Sequence, residues 1–158
     1  MEDRKLCSRL EYNQITDNIY VGTNQCCQTH FDESLKVLGL TADLSLEENR
    51  IDEPFGVEFY LWLPVIDLTA PSPDQFVIGV QFLKTLVSLN RKVYVHCQMG
   101  HGRAPTIVAA YLISQGRSVS EAIAFIKERR PVIHLEDVQV VALQEYAVAQ
   151  RARVEASA

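Results

Sequence analysis

The sequence has no long apolar run. Across its 158 residues, no stretch approaches the length of a membrane-spanning helix, which needs roughly 20 consecutive apolar residues. The first residues are charged and polar, whereas a secretory signal peptide has an apolar centre. We therefore expect no membrane span and a cytoplasmic location, with access to the nucleus left open.

Basic residues are fewer than acidic ones. The chain has 15 Lys and Arg residues against 20 Asp and Glu residues, and its formal net charge is −5. Because nucleic acids and acidic membranes select broadly basic surfaces, this balance argues against stable nucleic-acid binding. A single cationic pocket remains compatible with it.

Cysteine is scarce and shows no metal-ligand spacing. Of the four cysteines, Cys26 and Cys27 are adjacent and Cys7 lies in the polar N-terminal segment. The sequence therefore predicts no metal site, and the lack of a signal peptide favours a reducing compartment. We interpret Cys7, Cys26 and Cys27 as buried or idle thiols, with a redox partner for Cys97 as the alternative.

The remaining composition is that of one globular domain. Apolar residues make up 47% of the chain and charged residues 22%, which are ordinary values for a folded protein. No internal repeat or low-complexity segment is present, and a chain of this length folds on a single core. We predict one domain over residues 1–158, with a loose N-terminus over 1–10 and a tail over 150–158.

Strand and helix patterns alternate along the chain. Strands are predicted over 13–16, 18–22, 40–46, 58–63 and 93–96, and helices over 30–38, 73–90, 105–115, 119–130 and 136–148. Capping boxes at 72–75 and 118–121 mark two helix starts. An acidic pair, Glu47 and Glu48, follows the third strand and is expected to be solvated. Strands separated by helices are typical of a sheet covered on its faces.

Residues 93–106 carry the chemistry that organises the chain. An apolar strand leads into a loop that Cys97 opens and Arg103 closes, and an apolar helix follows. Two glycines let the loop amides turn inward, so that loop and helix N-terminus form an anion-binding concavity. Because these amides, the helix dipole and Arg103 all favour a thiolate, Cys97 is predicted to be a nucleophile for phosphoryl groups. A buried structural cysteine beside a loop arginine would not explain the glycines.

This loop resembles the signature of the Cys-based protein tyrosine phosphatase superfamily, in which five residues separate His-Cys from Arg. The matching segment is His96-Cys97-Gln98-Met99-Gly100-His101-Gly102-Arg103. Over residues 18–146 the chain resembles a compact dual-specificity phosphatase of the atypical, single-domain kind. The resemblance implies an α/β fold in which helices flank a central, mostly parallel sheet of four to five strands.

The same resemblance implies hydrolysis of phosphotyrosine and of phosphoserine or phosphothreonine, with phosphorylated proteins as substrates. Cys97 attacks phosphorus, Arg103 holds its oxygens, and Asp67, in a proline-flanked loop, acts first as acid and then as base. The predicted phosphate ligands are the amides of Gln98, Met99, Gly100, His101, Gly102 and Arg103. No metal or other cofactor is required. The oligomeric state stays open, with a monomer expected.

Supporting roles also follow from the resemblance. His96 is expected to orient the loop, and the segment Arg129-Arg130-Pro131 resembles a family element that lies behind it. Gln139 stands where some relatives orient the hydrolytic water, with an exposed helix residue as the alternative. Relatives carry a hydroxyl after the arginine that assists breakdown of the phosphocysteine. Ala104 has none, so slow breakdown is expected unless Thr106 reaches the sulfur.

Other functions on this scaffold are phosphoinositide dephosphorylation, RNA 5′-dephosphorylation and non-catalytic phosphoprotein binding. Gln98 and His101 stand where phosphoinositide-directed relatives carry lysines, which disfavours a lipid substrate. A non-catalytic module is expected to have lost Cys97, Arg103 or Asp67, and this sequence keeps all three.

Overall fold

A computed structural model describes residues 9–158 as a sheet flanked by helices. Most of the predicted loose terminus, together with Cys7, lies outside the described residues. The strands are β1 (Tyr12–Gln14), β2 (Ile19–Gly22), β3 (Leu40–Glu47), β4 (Phe59–Val65) and β5 (Lys92–His96). Their order is β1-β2-β5-β3-β4, with β1 antiparallel to β2 and all other neighbours parallel. The predicted mostly parallel sheet is confirmed.

Five α-helices lie within residues 9–158. They are α1 (Glu33–Val37), α2 (Pro73–Ser88), α3 (Arg103–Ser114), α4 (Val119–Arg129) and α5 (Asp137–Ala156), and a 3-10 turn spans Asn24–Cys26. α3 packs against α2, α4 and α5, and its residues from Arg103 to Ile113 are all buried. Such a helix is apolar on every side because sheet and helices surround it.

Alternate side chains of β5 pack into two different hydrophobic clusters. Val93 and Val95 belong to the large cluster beneath α2–α5, whereas Tyr94 belongs to a smaller cluster with Phe31 and Leu35 on the other face. Successive side chains of a strand point to opposite faces. His96, the last residue of β5, stacks beside Tyr94 at a ring-centroid distance of 5.7 Å and so lies on the smaller side.

Local signals predicted most element boundaries. Both capping boxes are present, at residues 72–75 and 118–121. The helix predicted over 30–38 is shorter, because Asp32 accepts from the Ser34 amide as N-cap, and His30 stays exposed outside it. Val77, predicted in the buried stripe of α2, is exposed.

The C-terminal helix continues through most of the predicted tail. α5 extends to Ala156, and its residues from 151 onward are exposed. Ala, Arg, Gln and Glu dominate this end of the chain, and all four favour helix without needing a packing partner. Among residues 9–158, no helix is both long and apolar enough to span a bilayer.

Candidate active site

The loop between β5 and α3, residues 97–102, makes close contacts with its surroundings. At one position, Gly100, these contacts leave room only for glycine. Gly100 has φ +70, and a Cβ there would lie 2.5 Å from the Gly22 carbonyl oxygen and 2.9 Å from Arg130 Nη2. The loop therefore packs directly on β2 and on the end of α4. Cys97, at its start, is 3% exposed.

Backbone carbonyls of this loop accept hydrogen bonds from groups outside the loop. Arg130 Nε donates to the Gly100 carbonyl at 2.9 Å, and its Nη2 donates to that of Met99, also at 2.9 Å. The His134 amide donates to the His101 carbonyl at 2.7 Å, and the Asn24 amide to that of Gln98 at 3.1 Å. These contacts hold four consecutive loop carbonyls.

Outward carbonyls fix the direction of the loop amides. In a trans peptide the C=O of one residue and the N–H of the next point opposite ways. The N–H groups of residues 99–102 are therefore directed to the inner side, where Cys97 lies and where α3 begins. This arrangement is the shape of the predicted concavity, and its binding of an anion stays a prediction. Of the segment Arg129-Arg130-Pro131, Arg130 is the residue that contacts the back of the loop.

Arg103 begins α3 and is almost fully buried. Its Nη1 donates to the Val65 carbonyl at 2.9 Å and to the Glu48 carboxylate, and its Nη2 lies 3.4 Å from Asp67 Oδ1. Its Nε has no hydrogen-bond partner among the described residues. The guanidinium is thus anchored at one nitrogen and retains donors for a bound anion.

Glu48 was missed as a site residue, because the acidic pair after β3 was predicted to be solvated. Instead Glu47 is buried and accepts from Asn24 Nδ2 at 2.8 Å, and Glu48 pairs with Arg103. Burial alone would raise the pKa of Glu48, but backbone N–H groups, including that of Asp67, and the Arg103 charge lower it below its usual value. Its position at the carboxyl end of a parallel strand was the available signal.

Replacing Glu48 by glutamine is expected to lower kcat/KM by roughly 10- to 100-fold. A hydrogen bond to a charged group contributes about 1.5–3 kcal/mol, and an uncharged amide loses most of that contribution to Arg103. Steady-state kinetics with an aryl phosphate measures the effect, with Glu128→Gln on exposed α4 as the matched control. Equal kinetics for both variants would show that Arg103 is oriented without Glu48.

Asp67 lies in a short turn after β4, which we call the acid loop (residues 66–70). Its side chain is 53% exposed, and its Oδ1 accepts from the Leu68 amide at 2.9 Å. Leu68 has φ +65, an uncommon conformation for a non-glycine residue. The turn directs Asp67 toward Arg103, so the structure brings Cys97, Arg103 and Asp67 to one depression.

The acid loop is tied to α5 by Gln139. The Gln139 Nε2 donates to the Thr69 carbonyl at 2.9 Å, and its Oε1 accepts from the Glu136 amide at 2.8 Å. Gln139 is only 1% exposed. The alternative of an exposed helix residue is therefore wrong, whereas a role in orienting water stays a prediction.

Thr106 does not reach the nucleophile. Its hydroxyl donates to the Gly102 carbonyl at 2.7 Å, one helical turn back. A hydroxyl has a single proton to donate, and a threonine inside a helix commonly uses it in this way. Ala104 and Thr106 therefore leave the Cys97 sulfur without a hydroxyl donor from the start of α3.

His96 contacts the loop backbone, as expected, and is also held by carboxylates that the sequence did not reveal. Its Nδ1 lies 3.4 Å from the Cys97 carbonyl, and its Nε2 lies 3.2 Å from both Asp43 and Asp52. Burial alone would lower the pKa of His96, but the two carboxylates raise it to about 10. Burial also raises the pKa of Asp43.

The mouth of the depression combines polar and apolar groups. Its lining residues are Asp67, Leu68, Cys97, Gln98, Met99, His101, Gly102, Arg103, His134, Glu136 and Gln139. Burial, with the nearby Arg130 charge, lowers the pKa of His101, which disfavours a positive charge on its ring. Arg103 and the loop amides are the groups placed to hold a bound anion.

Comparisons with known proteins agree with this geometry. The family model of the dual specificity phosphatase catalytic domain matches residues 19–149. Human phosphatidylglycerophosphatase and protein-tyrosine phosphatase 1 is 42% identical over 93 residues, 58% of this chain and 46% of that protein. Dual specificity protein phosphatase 1-B of Xenopus laevis is 33% identical over 103 residues, 64% of this chain and 28% of that protein. The chain thus spans less than half of either relative.

Solved structures share the fold. The crystal structure of PTPMT1 in complex with PI(5)P has a TM-score of 0.77 and 26% identity, over 90% of this chain and 98% of that chain. The crystal structure of human DUSP28 has a TM-score of 0.81 and 20% identity, over 89% of this chain and 99% of that chain. The second likeness concerns the fold alone.

Proposed function

Since this chain belongs to the family of dual specificity phosphatase catalytic domains, we propose that it is a cysteine-dependent phosphatase that hydrolyses phosphate monoesters of proteins. The observation that carries the proposal is the position of Cys97. It lies at the start of a loop whose carbonyls are held from outside, and it lines the same depression as Arg103. A thiolate facing these donors is placed to attack phosphorus while they hold its oxygens.

The reaction takes place in two steps. In the first, the sulfur of Cys97 forms a bond to phosphorus, the ester bond breaks, and Asp67 gives its proton to the leaving oxygen. In the second, Asp67 takes a proton from water, whose oxygen displaces the sulfur and releases inorganic phosphate. Arg103 and the loop amides stabilise the equatorial oxygens in both steps, which is the contribution a metal makes in other phosphatases.

Phosphotyrosine and phosphothreonine are both expected substrates of this site. Asp67 is half exposed and the acid loop spans only residues 66–70, so we expect a shallow site that admits the shorter phosphothreonine side chain as well as phosphotyrosine. The test is phosphate release from matched phosphotyrosyl and phosphothreonyl peptides, with the Cys97→Ser protein as the blank. Turnover of neither peptide would contradict a protein substrate.

A second candidate substrate class is a phospholipid monoester. Ile66 and Leu68, on either side of Asp67, are 68% and 60% exposed, so apolar side chains flank the proposed acid. One relative is named a phosphatidylglycerophosphatase, and one similar structure holds PI(5)P. If lipid is the substrate, kcat/KM on vesicles exceeds that on peptides, and Ile66→Ser lowers the vesicle rate alone.

Breakdown of the phosphocysteine is expected to limit turnover. Relatives place a hydroxyl at the position of Ala104, and one hydrogen bond to a charged sulfur corresponds to roughly tenfold to more than a hundredfold in rate. Rapid mixing with an activated aryl phosphate should therefore give a stoichiometric burst of phenol. Ala104→Ser should diminish the burst and raise kcat.

Thr106→Ala is the matched control for this experiment. Because the Thr106 hydroxyl donates to the Gly102 carbonyl, its removal should leave the burst amplitude unchanged. A wild-type protein without a burst, and with the same kcat after Ala104→Ser, would show that the missing hydroxyl does not control hydrolysis.

A further inference from the structure

A buried cluster of potential metal ligands lies on the face of β5 away from α2–α5. It consists of Cys26, Cys27, Asp43 and His96, all of which are 0% exposed. We call it the Cys-Asp-His cluster. β3 and β5 pair in parallel, with Asp43 opposite Tyr94, so Asp43 and His96 project from one face of the sheet. The turn after β2 brings the two cysteines to the same place.

Hydrogen bonding alone does not account for this cluster. His96 Nε2 lies 3.2 Å from Asp43 Oδ1, 3.2 Å from Asp52 Oδ2 and 3.4 Å from Cys27 Sγ. One ring N–H points at only one of these three atoms. Within residues 9–158, neither carboxylate oxygen of Asp43 accepts a hydrogen bond of good geometry, nor does Asp52 Oδ2. Buried carboxylates are normally satisfied, so the cluster has more acceptors than donors.

One oxygen of Asp52, Oδ1, is satisfied in the ordinary way. Arg50 donates from Nε and Nη2 to Asp52 Oδ1, at 3.0 and 2.9 Å. This ion pair balances the charge of the Asp52 carboxylate. Asp43 faces the two sulfur atoms and the imidazole. The set that converges is thus two sulfur atoms, one ring nitrogen and one carboxylate oxygen.

We propose that Cys26, Cys27, Asp43 and His96 form a tetrahedral Zn²⁺ site when the two cysteines are reduced. The four ligand atoms lie within 4.8 Å of one another. Zinc bonds of about 2.3 Å to sulfur and about 2.0–2.1 Å to nitrogen or oxygen place tetrahedral ligands roughly 3.3–3.8 Å apart. The distances from His96 Nε2 to Asp43 and to Cys27, 3.2 and 3.4 Å, are close to that range.

Ligand chemistry selects the ion. Two thiolates, an imidazole and one carboxylate suit zinc, whereas calcium and magnesium prefer oxygen ligands alone. The dication would offset the thiolate and carboxylate charges that burial otherwise makes costly. Cysteine spacing alone does not reveal the site, because Asp43 and His96 are distant in the chain from the cysteine pair.

Reduction and metal binding are separate steps. In this structure the sulfur atoms of Cys26 and Cys27 are in contact, as in a disulfide between neighbouring residues. A phosphine reductant breaks such a bond by delivering two electrons, and two protons from water complete the thiols while water oxygen is taken up as phosphine oxide. Zn²⁺ then displaces both thiol protons, and any proton on His96 Nε2, into solvent.

The site would be structural. It would join the segment after β2, strand β3 and the end of β5, and His96 is the residue that precedes the nucleophile. Because the metal would lie on the opposite side of β5 from the large core, it would stabilise the folded chain without contacting substrate. Chelation is therefore expected to lower Tm.

The experiment uses the full chain, purified without metal and reduced with a phosphine. Zn²⁺ is titrated in, and bound metal is measured after gel filtration; one ion per chain and a raised Tm are expected. Co²⁺ in place of Zn²⁺ reports the ligands, since thiolate coordination gives an intense sulfur-to-cobalt absorption band. This measurement on the unaltered protein needs no variant to fold.

Variants then locate the metal. Cys27→Ser and Asp43→Asn are expected to lose the bound ion or weaken it at least tenfold, whereas Cys7→Ser and Cys97→Ser should keep it. No bound metal, a cobalt complex without the sulfur band, or loss of the ion in Cys97→Ser would each overturn the proposal. The proposal would also be overturned if the Cys26–Cys27 disulfide resisted phosphine treatment of the folded protein. Counting reactive thiols after denaturation measures this.

Discussion

Replacing Cys97 by serine is expected to reduce turnover of every phosphate ester to the level of a blank. The loop amides and Arg103 favour an anion at this position, but they do not ionise a serine hydroxyl at neutral pH, and a neutral hydroxyl without an adjacent base is a poor nucleophile. Phosphate release from an aryl phosphate measures the loss.

The same variant should still bind phosphate esters. The residues that hold the loop carbonyls, Arg130 among them, and the Arg103 guanidinium are unchanged by the substitution. Binding of a non-hydrolysable phosphonate by calorimetry is therefore expected to stay within a few-fold of wild type. Activity within tenfold of wild type would exclude Cys97 as the nucleophile.

Replacing Asp67 by asparagine is expected to lower kcat/KM, which reports the first step, by roughly 10²–10⁴-fold for esters with poor leaving groups, the usual size of a general-acid contribution. Asparagine keeps the shape of the side chain but has no proton to give. The fall of rate toward alkaline pH, which in the wild type reflects ionisation of the acid, should flatten.

Leaving-group dependence distinguishes an acid from a residue that only shapes the loop. A nitrophenolate needs little protonation, so kcat/KM of the Asp67→Asn protein should approach that of the wild type for such esters and fall for alkyl phosphates. Asp74 at the start of α2 is the nearby carboxylate for comparison, and Asp74→Asn should change neither profile. An equal loss for all leaving groups would assign Asp67 a positioning role.

Local sequence signals predicted the nucleophile loop and most of the fold. The strand into Cys97 and the helix after Arg103 follow from apolar patterning within a few residues, and the capping box at 72–75 involves only neighbours. Such signals do not depend on residues that are distant in the sequence, so the local structure that they favour is retained in the folded chain. The same holds for the mostly parallel sheet, which follows from alternation of strands and helices.

Residues that act across the sheet were missed or misassigned. Glu48 pairs with Arg103 across 55 residues of sequence, and Gln139 holds the acid loop across 70. Asp43 meets His96 only because β3 lies beside β5, and Asp52 reaches His96 from the segment that follows β3. No short-range pattern encodes these contacts. From the sequence alone, a glutamate that follows a strand looks like part of a solvated turn. Only the arrangement of the parallel strands shows that an arginine lies next to it.

The most direct test of the central claim is to trap the phosphorylated enzyme during turnover. The full chain is mixed with an activated aryl phosphate, denatured within the first turnovers and digested with trypsin, which cleaves after Lys92 and Arg103. We expect the peptide 93–103 to carry one phosphoryl group on Cys97, and the Cys97→Ser protein to carry none. Steady product release with that peptide unmodified, or a phosphoryl group on another residue, would contradict the mechanism.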